Sequence, residues 1–401
     1  RQSKETMNPF ERNLRLMFFI RILRWFLLVM STMVLFYQHA GLTMQQILLI
    51  QSAFSALVVL FEIPSGYFSD VVGRKRTMIA GCLLSFAGFA LYSLAEGFWG
   101  FFIAEMTLGC AISFISGTDS AIVYDSLLVL GRKSEYSKYE GRLMSVGNTS
   151  EGVASIIGGL LAAISLRLPF YVETGILLFT IPLAMMLTEP PRTKLDTSKG
   201  NFRAVWEIVV YAMHGHSELK WLIVYSSIVN ASTLTMVWFI QPYLKLAGLP
   251  IWWFGFTWAA LQFSVGFFSF SAHKIEKKIG RMNVLSMLII LSVSGYILTA
   301  VFHSLWAIGF LVLFYIVRGM GQPTFYGYIN SLISSDKRAT VLSVGNLLVR
   351  LIFSCLGPVI GWIADTYSLS DAFLITAGIF LVPGIVSLFL LRKHAVVQPA
   401  V

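Results

Sequence analysis

The sequence predicts an all-α integral membrane protein, with twelve transmembrane helices arranged as two pseudo-symmetric six-helix bundles. Three observations carry that expectation. The 401 residues are 56% hydrophobic and only 12% charged, about half the charge of a soluble domain, which leaves too little polar surface to face water. The apolar residues fall in runs of about the 20 residues that cross a bilayer as a helix. The two halves of the chain also share local sequence at a fixed offset, as an internal duplication would leave it.

Taken in order, the expected spans are residues 16–38, 43–65, 77–95, 99–125, 142–165 and 170–188, then 219–243, 252–272, 282–302, 305–328, 339–364 and 371–391. Most connections are short. The long one holds Pro190, Pro191, several charges, His214 and His216. It divides the chain into an N-terminal bundle (1–188), a cytoplasmic central loop (189–218) and a C-terminal bundle (219–401). With the N-terminus in the cytoplasm, 24 of the 30 Lys and Arg residues fall in cytoplasmic segments or, as Arg142 and Lys220 do, at the cytoplasmic end of a span, and only Arg167 and Lys245 fall on the other side. Basic residues are retained on the cytoplasmic face, so both termini are placed there, in a plasma membrane or bacterial inner membrane. Arg21, Arg24, Arg318 and Arg350 lie inside spans.

The repeat is legible in several places. Ser-Val-Gly-Asn occurs at 145–148 and 343–346, in the fifth and eleventh spans. Gly73-Arg74 precedes span three and Gly280-Arg281 precedes span nine, 207 positions later; the same offset carries Gly88 to Gly295 and Trp99 to Trp306. Parallel six-span repeats are a transporter design.

Several other classes are disfavoured. The net charge of +10 sits in short clusters between apolar runs, which is a topology signal and not a nucleic-acid surface. Cys82, Cys110 and Cys355 lie in apolar runs without metal-ligand spacing. His214 and His216 are too few to make a metal site. The first apolar run, from about Leu16, is too long for a cleavable signal and lacks a small-residue cleavage site. No nucleotide-binding loop is present, no nucleophile–base pair stands out, and neither enzyme activity nor a bound cofactor is expected. A monomer in the bilayer, driven by a proton gradient, is the expectation.

The densest knot of charge is PSGYFSDVVGRKRT at 64–77. The spacing Gly66, Asp70, Gly73, Arg74, Lys75 resembles the signature loop between spans two and three of the major facilitator superfamily, within a twelve-span, two-half plan that covers essentially the whole chain. Gly66 and Gly73 offer permissive backbone for a tight reversal, and the basic trio holds the loop in the cytoplasm. The resemblance implies that Asp70, with Gly66, Gly73 and Arg74, forms a latch for one alternating-access state. A plain topology signal is the alternative for the basic trio. The residue after the Asp is often basic in the family and is Val71 here. The second copy reads KKIGRM, with Lys277 where the Asp should be.

Ionisable groups inside spans are costly and mark function. In span four, Glu105, Gly109, Ser113, Ser116 and Ser120, with Asp119, recur at helical steps, which predicts a polar face on a water-filled cavity. Many proton-linked relatives of the resembled family carry an Arg in this helix shortly before a Gly; Glu105 stands there instead. Glu105, Glu62, Glu151 and Asp119 are the proton-coupling candidates, with a structural hydrogen bond as the alternative for Glu105. The family's antiporter signature places Gly-Pro in span five, and this chain has it only in span eleven, at Gly357-Pro358. Substrate-binding candidates are Arg24, Gln51, Ser116 and Asn148 in the first half, and Asn230, Trp238, Gln262, Arg318, Gln322 and Arg350 in the second. Arg318 and Arg350 suit a carboxylate or phosphate, or else pair with acids as gates.

The reading is a secondary active transporter, proton-coupled, that moves a small organic solute by alternating access. Its site is expected near the midplane between the halves, and an organic anion or mixed-charge metabolite or chelate is favoured. A proton-coupled pump for cationic drugs and a non-transporting receptor of the same fold are the rivals.

Overall fold

The computed structural model describes residues 8–191, 216–333 and 338–395. Among them all regular secondary structure is helical. The first half contains α1 (Pro9–Trp25), α2 (Met33–His39), α3 (Met44–Val72), α4 (Arg74–Leu94), α5 (Gly97–Ile115), α6 (Thr118–Val129), α7 (Tyr136–Ile164), α8 (Leu168–Leu178) and α9 (Thr180–Met185). The second contains α10 (Ser217–Leu246), α11 (Trp252–Ile279), α12 (Arg281–Val301), α13 (Leu311–Leu332), α14 (Arg338–Thr366) and α15 (Leu369–His394).

Each of the twelve expected spans coincides with one helix or with two consecutive helices. Nine spans among the described residues are long and apolar enough to cross a membrane. Three expected spans fall outside that set. The first is broken, and the fifth and eighth (α7 and α11) carry more polar residues. Most of the central loop, including His214, lies outside the described residues. His216 is spent locally: its ring accepts from the Leu219 N–H at the start of α10 at 3.4 Å.

Two compact units are present. The first comprises Arg1–Leu42, Ala53–Asp196 and Ile251–Ala259; the second comprises Thr43–Ser52, Thr197–Pro250 and Ala260–Val401. Helix α3 thus begins in the second unit and continues in the first, and the opening turns of α11 belong to the first unit. In the first unit, Leu14, Met17 and Ile20 of α1 bury against Met78 and Cys82 of α4 and Ile122 and Leu127 of α6. The aromatic side chains Phe36, Tyr37, Tyr92, Phe101 and Phe170 form a second packed centre, with Phe36 and Phe170 ring centroids 4.2 Å apart.

The repeat seen in sequence is repeated in backbone. Helices α4 and α12 have identical length, 21 residues, and both start after a glycine of positive φ, +120° at Gly73 and +86° at Gly280. An L side chain is disfavoured there, so only glycine starts these helices without strain. A methyl at Gly88 would meet Leu108, and one at Gly295 would meet Phe314, so each glycine admits the helix that follows.

Three expected spans are interrupted. The sixth breaks between α8 and α9, where Pro182 withholds the N–H that would bond Leu178. The fourth breaks at Gly117, whose φ is +79°. The first breaks over residues 26–32, FLLVMST, which contain neither Gly nor Pro. That break is made by tertiary contact. The Leu28 N–H donates to Glu173 Oε2 at 2.8 Å, Ser31 Oγ donates to the Ser155 carbonyl at 3.2 Å, and a methyl at Gly158 would lie 1.8 Å from the Leu28 carbonyl oxygen.

Candidate functional site

The signature loop is built differently from the expectation in one respect. Gly66 is not at the reversal; it lies within α3, which runs on to Val72, and the space around it is open. The chain turns at Gly73 alone. Arg74 then ion-pairs with Asp125 of α6, and the Arg74 and Lys75 N–H groups each donate to a carboxylate oxygen of Glu189 at 2.9 Å. A carboxylate on the exposed N–H groups of a helix start is favoured by both hydrogen bonding and the helix dipole. Asp70 is exposed and lies within electrostatic range of Asp125. The first unit therefore gathers Asp70, Arg74, Asp125 and Glu189 at one end of α4.

A second ionic group links α1 to α6. Arg21 pairs with Asp119 at 2.9 Å, and its guanidinium stands over the Trp25 ring. Arg24 lies within electrostatic reach of Asp119, Arg21 and Cys82, directly before the break in the first span. Asp119 thus pairs with Arg21 and lies within electrostatic reach of Arg24.

The polar face expected on span four is not one open face. Glu105 is 4% exposed. It accepts a hydrogen bond from Tyr92, whose hydroxyl is bonded to that of Tyr37, inside the aromatic centre. A methyl at Gly109 would meet Leu57 at 2.7 Å, and Ser113 bonds back to the Gly109 carbonyl at 2.9 Å. These three residues are packed and do not line water. Ser116, at the Gly117 break, is exposed. Glu151 is nearly buried and accepts from Trp258 Nε1 at 3.4 Å, and Asn148, one turn earlier, is exposed. The side chain of Glu62 lies outside the described residues.

In the second unit, Gln51 is buried. Asn230, Trp238, Gln262 and Arg350 are half-buried, and Gln322 is exposed. Arg318 is half-buried on α13, seven residues past its start, with its guanidinium 5.8 Å from the Tyr315 ring centroid. No carboxylate among the described residues pairs with it. The second unit carries paired acids just outside its expected spans. Glu276 pairs with Arg281 at 2.6 Å, and Arg281 stands 4.6 Å from the Tyr328 ring, whose hydroxyl donates to Glu218 at 2.6 Å. So Arg281 keeps a carboxylate partner although Lys277 replaces the signature Asp.

Three acids are placed by the structure and not by the sequence pattern. Glu173 lies inside the sixth expected span, where an acid is itself the signal that could have found it. Glu189 lies just past a span, with no local cue. Asp365 lies one residue beyond the eleventh expected span; its two oxygens accept from the Met44 and Gln45 N–H groups at 2.9 and 2.8 Å, capping α3.

The sequence pattern of the Major Facilitator Superfamily matches residues 15–358. The chain belongs to the Major Facilitator Superfamily. Among curated relatives it is similar to an uncharacterised MFS-type transporter of Methanocaldococcus jannaschii, 22% identical over 364 residues covering 86% of this chain and 91% of that one. It is also similar to the class H tetracycline resistance protein of Pasteurella multocida, 23% identical over 80% of this chain and 79% of that one. Among solved structures, a mutant form of the nucleoside transporter NupG superposes with a TM-score of 0.79 at 14% identity, covering 96% of this chain and 100% of NupG. That likeness shows the fold, an all-helical multi-pass membrane architecture, and the family is one of membrane transporters for small molecules.

Proposed function

We propose that this carrier is a proton-coupled secondary transporter for a small organic solute bearing an anionic group, working by alternating access. The observation that carries the substrate charge is Arg318. A guanidinium inside a span needs a counter-charge, and among the described residues Arg318 has only the Tyr315 ring. A planar, two-pronged donor fits a carboxylate or phosphate of the solute. Proton coupling rests on the carboxyl groups sequestered in the first unit, Glu105 and Glu151 foremost. The Lys and Arg bias supports a plasma-membrane carrier with both termini cytoplasmic.

The test is proton movement in proteoliposomes holding a pH dye, screened against panels of organic anions and cationic drugs. An organic anion should trigger a pH change. Arg318→Gln should weaken its apparent affinity by about 10- to 100-fold, the scale of one lost charge-assisted contact, and Glu105→Gln should remove the pH change. If no anion moves protons, or Arg318→Gln leaves every responding anion unaffected, the reading fails. A cationic-drug pump is the second reading, and the tetracycline-resistance relative favours it. Response to the cation panel alone would select it.

A further inference from the structure

Glu173 has none of the partners that accompany the other buried acids. Its side chain is 0% exposed. Oε2 accepts the Leu28 N–H at 2.8 Å, and Oε1 has no hydrogen-bond partner. No ion pair reaches it among the described residues. The bonded N–H is itself unusual, because it belongs to the break in the first span and is freed from any helix ladder. The other face of that residue is equally confined: Gly158 of α7 lies against the Leu28 carbonyl so closely that a methyl would be 1.8 Å away. Four positions further on, Thr32 carries a second fully buried oxygen without a partner. One joint therefore holds two unsatisfied polar atoms, a carboxyl oxygen and a hydroxyl.

An apolar enclosure tolerates a carboxylate poorly unless donors surround it. With a proton on Oε1 the group is neutral, and a single weak bond to Leu28 suffices. Without it, the charge strengthens the Leu28 bond and demands a further donor for Oε1. A shift of residues 26–32, whose backbone lies outside the helix ladder, is the motion that offers one, through another N–H group or the Thr32 hydroxyl. We infer that Glu173 is a proton-binding site whose occupancy sets the conformation of the break in the first span. The proton comes from solvent and returns to it, with no other bond made or broken.

The charged and titratable groups on the neighbouring helices are engaged elsewhere. On α8 itself and its cap, Arg167 donates to the Ser93 and Ala95 carbonyls at 3.0 Å and stands over Phe36, and Tyr171 is exposed. On α4 and α5, Tyr92 and Glu105 bond each other, and Cys82 lies in the α1 core. On α1 and α2, Arg21 holds Asp119, Arg24 lies near Asp119 and Cys82, Tyr37 bonds Tyr92, and His39 is exposed. On α7, Glu151 takes Trp258, while α9 carries no such group. The aromatic wall is shared, since Phe170, one turn before Glu173, packs on Tyr92 at 5.5 Å.

This inference rests on the proton-coupled reading but is tested without transport. The full chain in lipid nanodiscs is titrated by infrared difference spectroscopy, and amide hydrogen exchange of residues 26–32 is followed against a reference peptide from α12. Wild type should show a titrating buried carboxyl band. Exchange of 26–32 should change by about tenfold over the same range, the difference between a charge-assisted and a neutral hydrogen bond. Both should vanish in Glu173→Gln and survive in Glu105→Gln, and Glu173→Asp should move the midpoint. A wild type without such a band, a band that persists in Glu173→Gln, or an unmoved midpoint in Glu173→Asp overturns the inference. A band with no solute-driven proton movement leaves this site standing and removes the transport reading instead.

Discussion

Removing the Asp365 carboxylate should loosen the start of α3. Its two oxygens take the Met44 and Gln45 N–H groups at 2.9 and 2.8 Å, the first free donors of a 29-residue helix. Helix α14 is pressed against that end, since a methyl at Gly361 would lie 2.8 Å from both the Gln45 nitrogen and Cα. Loss of an N-terminal cap costs about 0.5–2 kcal/mol, and a carboxylate near the positive end of the helix dipole contributes about 0.3–1 kcal/mol more. Gln45 is exposed, so water recovers part of one bond. The net expectation is about 2 kcal/mol for Asp365→Ala and about 1 kcal/mol for Asp365→Asn, which keeps one acceptor but loses the charge. These correspond to roughly 30-fold and fivefold faster opening. Hydrogen-exchange mass spectrometry on the peptide containing Met44 and Gln45 reads this directly, with a peptide from α4 as control. Protection of Met44 and Gln45 that is unchanged in Asp365→Ala would refute the capping argument. An Asn variant as damaging as Ala would show that charge, not hydrogen bonding, carries the effect.

Further outcomes are expected elsewhere. Gly158→Ala should lower the thermal midpoint sharply or prevent folding, because the methyl meets backbone 1.8 Å away and backbone has no alternative rotamer; a variant of normal stability would contradict the contact. Glu189→Ala should cost about 1–2 kcal/mol at the start of α4 by leaving two N–H groups without their acceptor, measured as faster exchange at Arg74 and Lys75. On the surface, two hydrogen bonds from Arg132 lower the Glu135 carboxyl below its ordinary value. The folded value is the lower one, so its contribution is present above the ordinary Glu range and fades as pH falls through the lowered value. Carboxyl NMR should show Glu135 titrating below a free Glu, and Arg132→Gln should return it to the ordinary range.

Legibility followed the range of the interaction. The start of α4 was readable at Gly73 because a positive φ leaves a local mark, whereas Gly66 matched the same pattern by spacing and plays no part in the turn. Periodicity put Glu105, Gly109 and Ser113 on one helical face but had no means to say what the face meets, and what it meets is Tyr92 and Leu57. Arg74 was legible as a charge; its partners Asp125 and Glu189 lie 51 and 115 positions away and leave no local signal.

The sequence alone determined the membrane class, the twelve apolar segments, the repeat and the family, because bilayer burial and chain reversal impose constraints that act on neighbouring residues. Only the tertiary structure decided which acids are sequestered and where helices break. Residues 26–32 carry no helix-breaking residue, and their backbone is parted by a carboxylate 145 positions further along the chain. A hydrogen bond between groups so distant in sequence becomes favourable only once packing has brought them together and excluded the water that would otherwise compete.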